Sequence, residues 1–368
     1  MDSSFHRGRN FGLDLFRAVA ILLVVFTHGK FLLEGTALEG FPFFSMIDGV
    51  NLFFVLSGFL IGGILLREMN AHEKFSSRHL LNFWKRRWFR TLPNYYLILI
   101  ANVIVVKCGW IAGDILQFNW TFFFFLQNFA SPFYDFFWES WSLSVEEWFY
   151  LMAPFFMLLM LRITKAKYAF LIVVILMLIL PFIYRISIMD AHLDPFWMDV
   201  TIRKVVLARL DSIAFGLLAA WLCFYYKEVW QRIRTPTFSF GVLLIVFSLN
   251  CYPQPAFYSQ VISFSLAPIA CMLLLPLAES WRETSLRFSG AIGFISRISY
   301  SLYLIHLALV AEVIRKNFPP TGGVDGILKY IVYLAVSISV AALLYRYFEK
   351  PVMDLREKAP SRRLDGAL

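Results

Sequence analysis

The sequence predicts an all-α, polytopic integral membrane protein with about ten transmembrane helices. Hydrophobic residues make up 59% of its 368 residues and charged residues only 16%, and the mean hydropathy is +0.66. Apolar segments long enough to span a bilayer recur along the whole chain. The basic residues lie between these segments, so the net charge of +9 indicates membrane topology rather than nucleic-acid binding.

The long apolar stretches predict the spans in chain order. They are residues 11–33, 46–66, 91–107, 142–161, 167–187, 203–226, 238–252, 257–279, 294–316 and 327–348. The first is expected to be a retained helix rather than a cleavable signal peptide, because it contains charged residues and no small-residue cleavage site follows it. Pro268 and Pro276 predict a kink in the eighth.

The loop charges determine the expected topology. Most basic loops fall on one side of the membrane if the N-terminus is cytoplasmic and residues 115–128 do not cross. We therefore expect residues 115–128 to be a re-entrant or interfacial segment near the outer surface. The tails 1–10 and 352–368 are then both cytoplasmic. Residues 1–368 are expected to form a single transmembrane domain, since the sequence has no long linker and no convincing internal repeat.

The first span carries Asp14, Arg17 and His28 among its ionisable residues, and ionisable residues inside a membrane usually face a protein interior and serve a function. Arg17 and His28 are eleven residues apart, or about three helical turns, so they share one face about 16 Å apart. Asp14, three residues before Arg17, is its natural ion partner. His28 lies toward the outer side and suits proton transfer near neutral pH, with helix packing as the alternative.

An acidic residue near the outer end of the fourth span is expected at a depth similar to that of His28. This residue is Glu146, and a carboxylate beside an imidazole can fix its tautomer. The alternative is that Glu146 only stabilises the start of a helix that Ser142 caps.

Two arginines precede the third span on the expected cytoplasmic side. Arg87 and Arg90 are spaced i, i+3, and their guanidinium groups suit bidentate binding of phosphates. Anchoring to lipid headgroups is the alternative. In the second span, Ser57 and Gly58 would let another backbone or a thin ligand approach closely.

Other polar residues inside spans have less specific interpretations. Arg209 and Asp211 lie in the sixth span, where a structural pair is the alternative to a functional role. His306 lies near mid-membrane and is expected to be structural or pore-lining. The four cysteines show no CxxC spacing, and no metal site is predicted.

Taken in order, these motifs resemble the membrane acyltransferase 3 family. The resemblance rests on Leu13-Asp14 with Arg17-x10-His28, Phe53-Phe54-Val55-Leu56-Ser57-Gly58-Phe59, Arg87-x-x-Arg90 before a proline, Trp141-Ser142-Leu143-Ser144-Val145-Glu146, Arg209-Leu210-Asp211, Ser299-Tyr300-Ser301-Leu302-Tyr303 with His306, and Tyr347-Phe348-Glu349-Lys350-Pro351. It covers residues 11 to about 356. Family members often have Asp where Asn51 stands here. Some carry a fused extracytoplasmic esterase-like domain, which this sequence is expected to lack.

The resemblance implies an O-acyltransferase of a bacterial inner membrane. Such an enzyme takes an acyl group, commonly acetyl, from cytoplasmic acyl-CoA, which is a donor substrate and not a tightly bound cofactor. It delivers the group to a hydroxyl of a cell-envelope carbohydrate, such as O-antigen or exopolysaccharide, at the outer face. His28, helped by Glu146, is the expected general base, and a transient acyl-histidine is the alternative.

The resemblance also implies roles for the remaining motif residues. The donor would be bound by Arg17, Arg87, Arg90 and Ser57. Other functional or structural roles are expected for Asp14, Arg209, Asp211, His306 and Glu349.

Two other functions stay open at this point. A transporter or flippase of a sugar or lipid-linked intermediate would also have many spans and buried charges. Acylation of a small-molecule glycoside would need the same donor site. Membrane lipids are expected partners of all three, and nucleic acid of none.

Overall fold

The computed structural model describes residues 10–41, 48–71, 75–250 and 255–358, and every regular element within them is helical. Ten helices account for the predicted spans. They are α1 (Phe11–His28), α2 (Gly49–Ala71), α3 (Ser77–Lys107), α4 (Ser140–Met160), α5 (Ala166–Ser187), α6 (Leu210–Tyr225), α7 (Arg234–Asn250), α8 (Ser263–Ser280), α9 (Ser289–Ile305) and α10 (Gly323–Leu344). A final helix, α11 (Lys350–Lys358), enters the predicted C-terminal tail.

Eight helical stretches in the described part of the chain are long and apolar enough to cross a membrane. The two remaining predicted spans correspond to shorter apolar helices, α6 and most of α7. The predicted all-α, polytopic fold is therefore confirmed. The tail residues 1–9 and 359–368 lie outside the described residues.

The helix ends fall into two groups, which define two ends of the bundle. At the proximal end, the backbone N–H of Gly12 donates to the carbonyl of Trp281, joining the start of α1 to the chain after α8. At the distal end, the N–H of Gly323 donates to the carbonyl of Gly35, joining the start of α10 to the chain after α1. Successive long helices run alternately between these ends.

The backbones of α2 and α6 touch at two glycines. A Cβ atom added to Gly58 would lie 2.0 Å from the carbonyl oxygen of Ile213, and one added to Gly216 would lie 2.1 Å from that of Val55. Small residues allow such close approach between membrane helices, which associate through packing rather than through hydrophobic burial. This contact fixes α2 against α6 in the centre of the bundle.

The third helix is longer than predicted. The sequence predicts a span over residues 91–107, whereas α3 begins at Ser77 and runs through Pro93 without interruption. Its first half carries Arg87 and Arg90. These two arginines are therefore held on a rigid helix and not in a loop.

Residues 115–128 enter the bundle and return at the same end. They form two 3₁₀ turns, Ile115–Gln117 and Trp120–Phe124, between the distal ends of α3 and α4. The hydroxyl of Tyr95 donates to the carbonyl of Phe122 at 2.9 Å. Tyr95 lies twelve residues before the end of α3, or about 18 Å along the helix. Residues 115–128 therefore form no spanning helix, as expected for a re-entrant or interfacial segment.

Four stretches of the described chain form wide π turns in place of continuous α-helix. They are Asp199–Arg203, Tyr258–Ile262, His306–Ala311 and Tyr345–Glu349. The predicted sixth span, residues 203–226, therefore begins with irregular chain, and its α-helix starts only at Leu210. π turns are rare and are often found at functional sites.

Candidate active site

A cavity of about 590 Å³, which we call the vestibule, opens at the proximal end of the bundle. Six arginines line it: Arg17, Arg67, Arg87, Arg90, Arg282 and Arg297. Its four acidic residues are Asp14, Glu279, Glu283 and Glu349. The arginine excess makes the vestibule suited to a ligand with several negative charges, since guanidinium groups bind phosphates in a bidentate manner.

A second cavity of about 110 Å³, which we call the inner cavity, continues from the vestibule. Both cavities are lined by Arg17, Leu60, Ile61, Arg87 and Arg90. From these shared residues the inner cavity passes Ser57 and Glu146 and ends at Ser142 and Tyr303. The two cavities together form a path from an arginine-rich mouth to a narrower interior.

Arg17 stands where the two cavities meet, and Asp14 holds it there. Its Nη1 lies 3.6 Å from Oδ1 of Asp14. The hydroxyl of Ser296 on α9 donates to the same carboxylate at 2.8 Å. The predicted Asp14–Arg17 ion pair is confirmed.

Tyr150 on α4 links three residues of the inner cavity. The guanidinium carbon of Arg87 lies 4.2 Å from the centre of its ring, within the range of a cation–π interaction. Its hydroxyl donates to Oε2 of Glu146 at 2.9 Å and also contacts the hydroxyl of Ser57. Ser57, Arg87 and Glu146, predicted from three separate motifs, are thus brought together.

Glu349 closes one side of the vestibule near the proximal end. It is 4% exposed, and its Oε2 accepts from Nδ2 of Asn94 at 3.1 Å and from Oγ of Ser301 at 2.5 Å. These bonds join the Tyr345–Glu349 turn to α3 and α9. Glu349 therefore ties these elements together at the edge of the vestibule, while Arg90 on α3 is exposed toward that cavity.

His28 and His306 form a direct pair at the distal end. Nδ1 of His28 lies 2.7 Å from Nε2 of His306, and the ring centres are 5.0 Å apart. His28 is partly exposed as the last residue of α1, whereas His306 is fully buried in the His306–Ala311 turn. The ring of Tyr303, which ends the inner cavity, lies 5.8 Å from that of His306. One side chain thus separates the cavity from the pair.

Glu146 does not accompany His28 as the sequence predicts. Glu146 lies six residues inside α4, or about 9 Å from its start, whereas His28 ends α1. Its carboxylate bonds to Tyr150 near Arg87, and the partner of His28 is His306. The expected carboxylate–imidazole contact is therefore wrong, while a chemical role for Glu146 stays a prediction.

Arg209 and Asp211 do not pair with each other through a hydrogen bond. Nη2 of Arg209 donates to Oδ1 of Asn51 at 2.5 Å. Asp211 accepts from Nη2 of Arg185 at 2.7 Å, and both of these side chains are almost fully buried. Arg209 precedes the first residue of α6 and Asp211 is the second residue of that helix, and each finds a partner on another helix.

Charged residues form an ion-pair cluster near His28 at the distal end of the bundle. Arg203 donates to Oδ2 of Asp48 at 3.0 Å and to Oδ1 of Asp199 at 2.9 Å, and Lys204 bonds to the other oxygen of Asp199. Burial alone would raise the pKa of Asp48, but the guanidinium groups of Arg203 and Arg209 outweigh burial and hold that pKa below its usual value. The cluster therefore keeps its ion pairs across the neutral range.

Sequence reasoning missed several residues that build the site. Tyr150 follows Glu146 by one helical turn, a spacing that would have suggested contact. Arg185 is an arginine inside a predicted span, which by itself indicates a buried partner. The hydroxyl of Tyr303 is bonded to that of Ser142 at 2.6 Å. Nothing in the sequence indicated this contact, because 161 residues separate the two. Among the described residues, no group of three or more His, Cys, Asp or Glu could hold a metal ion.

Comparison with known proteins gives one family match. The family model described as an acyltransferase domain matches residues 10–346. No solved structure matches the chain.

Three curated proteins illustrate the relatives that the sequence matches. "Putative O-acetyltransferase" of Staphylococcus aureus strain COL is 28% identical over 92% of this chain and 56% of its own length. "Peptidoglycan O-acetyltransferase OatA" of Listeria monocytogenes is 28% identical over 92% of this chain and 55% of its own. "Putative peptidoglycan O-acetyltransferase YrhL" of Bacillus subtilis is 25% identical over 96% and 56%. The chain thus spans little more than half the length of these relatives.

Proposed function

Because this chain belongs to the acyltransferase 3 family of membrane proteins, we propose that it is an O-acyltransferase that moves an acetyl group from cytoplasmic acetyl-CoA to a cell-envelope carbohydrate. The observation that carries the proposal is the arginine vestibule, which continues into an inner cavity that ends beside the histidine pair. A bacterial cytoplasmic membrane would hold the protein with both termini inside the cell and the distal end outside.

The vestibule is the proposed site for the phosphates of the donor. Arg87, Arg90 and Arg17 line both cavities, so phosphates bound by them would lie at the entrance of the inner cavity. The pantetheine arm, which is long and thin, would extend past Ser57 and Glu146 toward Tyr303. Arg17 and His28 are about 16 Å apart along one helix, a distance that such an arm can bridge.

His28 is the proposed general base for the acceptor. It is the partly exposed member of the histidine pair and lies at the distal end, from which an extracytoplasmic hydroxyl would approach. Imidazole suits proton removal near neutral pH. An acetyl group could then pass between the faces of the membrane while the CoA nucleotide stays on one side.

The proposed acceptor is a hydroxyl of an envelope glycan. Two of the relatives are named for peptidoglycan O-acetylation, so peptidoglycan fragments are the first acceptors to assay, followed by O-antigen and exopolysaccharide. A small-molecule glycoside would use the same distal approach. The ion pairs of Asp48, Asp199 and Arg203 at the distal end offer polar groups for any of these carbohydrates.

Donor binding is tested with protein purified into lipid nanodiscs and acetyl-CoA as the ligand. Arg87→Ala and Arg90→Ala should each raise the Kd for acetyl-CoA roughly 10-fold or more, since a charge-assisted hydrogen bond contributes about 1.5–3 kcal/mol. Lys85→Ala is the matched control, because Lys85 is exposed on the same helix and lines neither cavity. If all three variants bound acetyl-CoA as tightly as wild type, the alternative role of the arginines, anchoring to lipid headgroups, would be favoured.

Acyl transfer is tested by release of free CoA when a glycan acceptor is added. His28→Ala should lose at least 100-fold in rate, the usual contribution of a general base. His192→Ala, which changes an exposed histidine, should keep the wild-type rate. Wild-type CoA release from folded His28→Ala would refute the base assignment. Transport of glycan without CoA release by the wild type would favour a transporter instead.

A further inference from the structure

The buried histidine His306 has its hydrogen-bonding state fixed by its own helix. Its Nδ1 lies 2.7 Å from the carbonyl oxygen of Tyr303 and 3.2 Å from that of Leu302. Carbonyl oxygens only accept hydrogen bonds, so Nδ1 must carry the hydrogen. A neutral imidazole has one N–H, and therefore Nε2 of His306 is an acceptor.

The tautomer of His28 follows from that of His306. Nδ1 of His28 faces the accepting Nε2 of His306 at 2.7 Å, so it must donate. The lone pair of neutral His28 is then on Nε2. We propose that His306 is a positioning residue that holds His28 in the Nδ1–H tautomer, so that Nε2 is the atom that removes the proton from the acceptor hydroxyl. This inference rests on the proposed function of His28.

The surroundings of His306 keep its ring from turning. The Tyr303 hydroxyl bonds to Ser142 at 2.6 Å and donates to the carbonyl of Glu139 at 3.1 Å. In the same turn, the N–H of Ala308 donates to Oε1 of Glu139 at 2.6 Å. Both sides of His306 are thus tied to the start of α4. A buried ring held in this way can orient a partner that is itself partly exposed.

The proposed step conserves atoms and charge. The acceptor O–H bond breaks, its proton moves to Nε2 of His28, and the oxygen forms a bond to the thioester carbonyl carbon. The carbon–sulfur bond then breaks, and the leaving thiolate takes the proton from His28 to give free CoA and the O-acyl ester. Throughout, the Nδ1–H of His28 stays bonded to Nε2 of His306, which stabilises the imidazolium.

The test reads the tautomer directly by ¹⁵N NMR of histidine-labelled protein in nanodiscs, with the His28 signals assigned from a His28→Gln sample. Wild type should show a protonated Nδ1 and an unprotonated Nε2. His306→Gln keeps a side-chain oxygen as an acceptor and should preserve this pattern. His306→Phe removes the acceptor and should give a mixture of tautomers, with kcat lowered roughly 10-fold or more and KM for acetyl-CoA unchanged.

The outcomes separate this inference from the proposed function. An Nε2–H tautomer in wild type, or unchanged tautomer and kcat in His306→Phe, would overturn the positioning role. Activity retained in His28→Ala would instead overturn the base assignment. If His306→Phe does not fold, the wild-type and His306→Gln spectra still test the inference. A protonated Nδ1 of His28 in both supports it, and an Nε2–H tautomer in wild type overturns it.

Discussion

Arg87 lies against the face of Tyr150, with its guanidinium carbon 4.2 Å from the ring centre. The aromatic ring thus positions the guanidinium group of Arg87 where the two cavities meet. The same tyrosine binds Glu146 through its hydroxyl, so the two functions of the side chain can be separated by substitution.

Tyr150→Phe and Tyr150→Ala should differ in their effect on acetyl-CoA affinity. Phenylalanine keeps the ring under Arg87, so the Kd should change by less than about 3-fold. Alanine removes a partly desolvated cation–π contact of about 1–2 kcal/mol and should raise the Kd roughly 5- to 30-fold. Equilibrium binding of labelled acetyl-CoA in nanodiscs measures both. A similar loss in the two variants would mean that the hydroxyl, and not the ring, positions Arg87.

The buried Arg185–Asp211 pair should show strong coupling. Arg185→Met or Asp211→Asn alone leaves an unmatched buried group and should cost about 3–5 kcal/mol of unfolding free energy. The double variant should cost at least about 1 kcal/mol less than the sum, because neither charge is then left behind. Denaturant unfolding in detergent gives the four values. Strict additivity would show that the two groups act independently.

Alanine at Gly58 or Gly216 should prevent normal packing of α2 against α6. The new Cβ would lie about 2 Å from a backbone oxygen, so the helices would have to separate. We expect a large fall in the yield of monodisperse protein and a lower Tm. Gly290→Ala is the control, since no atom lies within 4 Å of its Cβ position in α9 and alanine favours helix. An unchanged Tm for Gly58→Ala would contradict the contact.

Asn51→Asp should be tolerated, because the new carboxylate would face Arg209, which already donates to Asn51 at 2.5 Å. Charge-assisted hydrogen bonds are stronger than neutral ones, so the Tm should stay level or rise. Asn51→Leu is the contrast: it leaves the almost fully buried Arg209 without this acceptor and should lower the Tm by several degrees. A lower Tm for Asn51→Asp than for Asn51→Leu would refute the contact.

Glu139 should make stability fall as pH rises. Burial raises its pKa to about 7 from an ordinary value of 4.5, so between these values the folded chain binds more protons than the unfolded chain. Its contribution is therefore largest below pH 4.5, is lost as pH rises to about 7, and amounts to at most about 3 kcal/mol. Glu139→Gln should remove this dependence while keeping an oxygen for Ala308. Parallel Tm–pH curves for Glu139→Gln and wild type from pH 5 to 8 would exclude this role.

The fold was accessible from sequence because membrane spans leave a strong apolar signal. Residues 11–33 and 167–187 could be placed from hydropathy alone, and the loop charges identified residues 115–128 as non-crossing. Helix ends were less accessible. α1 stops at His28 and continues as a 3₁₀ turn, and α3 starts fourteen residues before its apolar part, where hydropathy gives no signal.

The contacts of the candidate site were also only partly predictable from the sequence. Asp14 and Arg17 pair within one helix, so their spacing was sufficient to predict the contact. His28 and His306 are 278 residues apart, and only the packing of α1 against the turn after α9 brings them together. The depth expected for Glu146 was wrong for a related reason. The depth of a residue in the bundle depends on where its helix begins, and the sequence places helix ends poorly.

The π turn at His306–Ala311 also sets the helical phase of everything beyond it. A π turn holds one residue more than an α turn, and one residue corresponds to about 100° of rotation. His306 and Glu312 therefore face directions that an unbroken α-helix could not give them together. Removal of one residue here would hardly change the composition or the mean hydropathy of the chain. It would, however, rotate either His306 or the segment after it away from its neighbours.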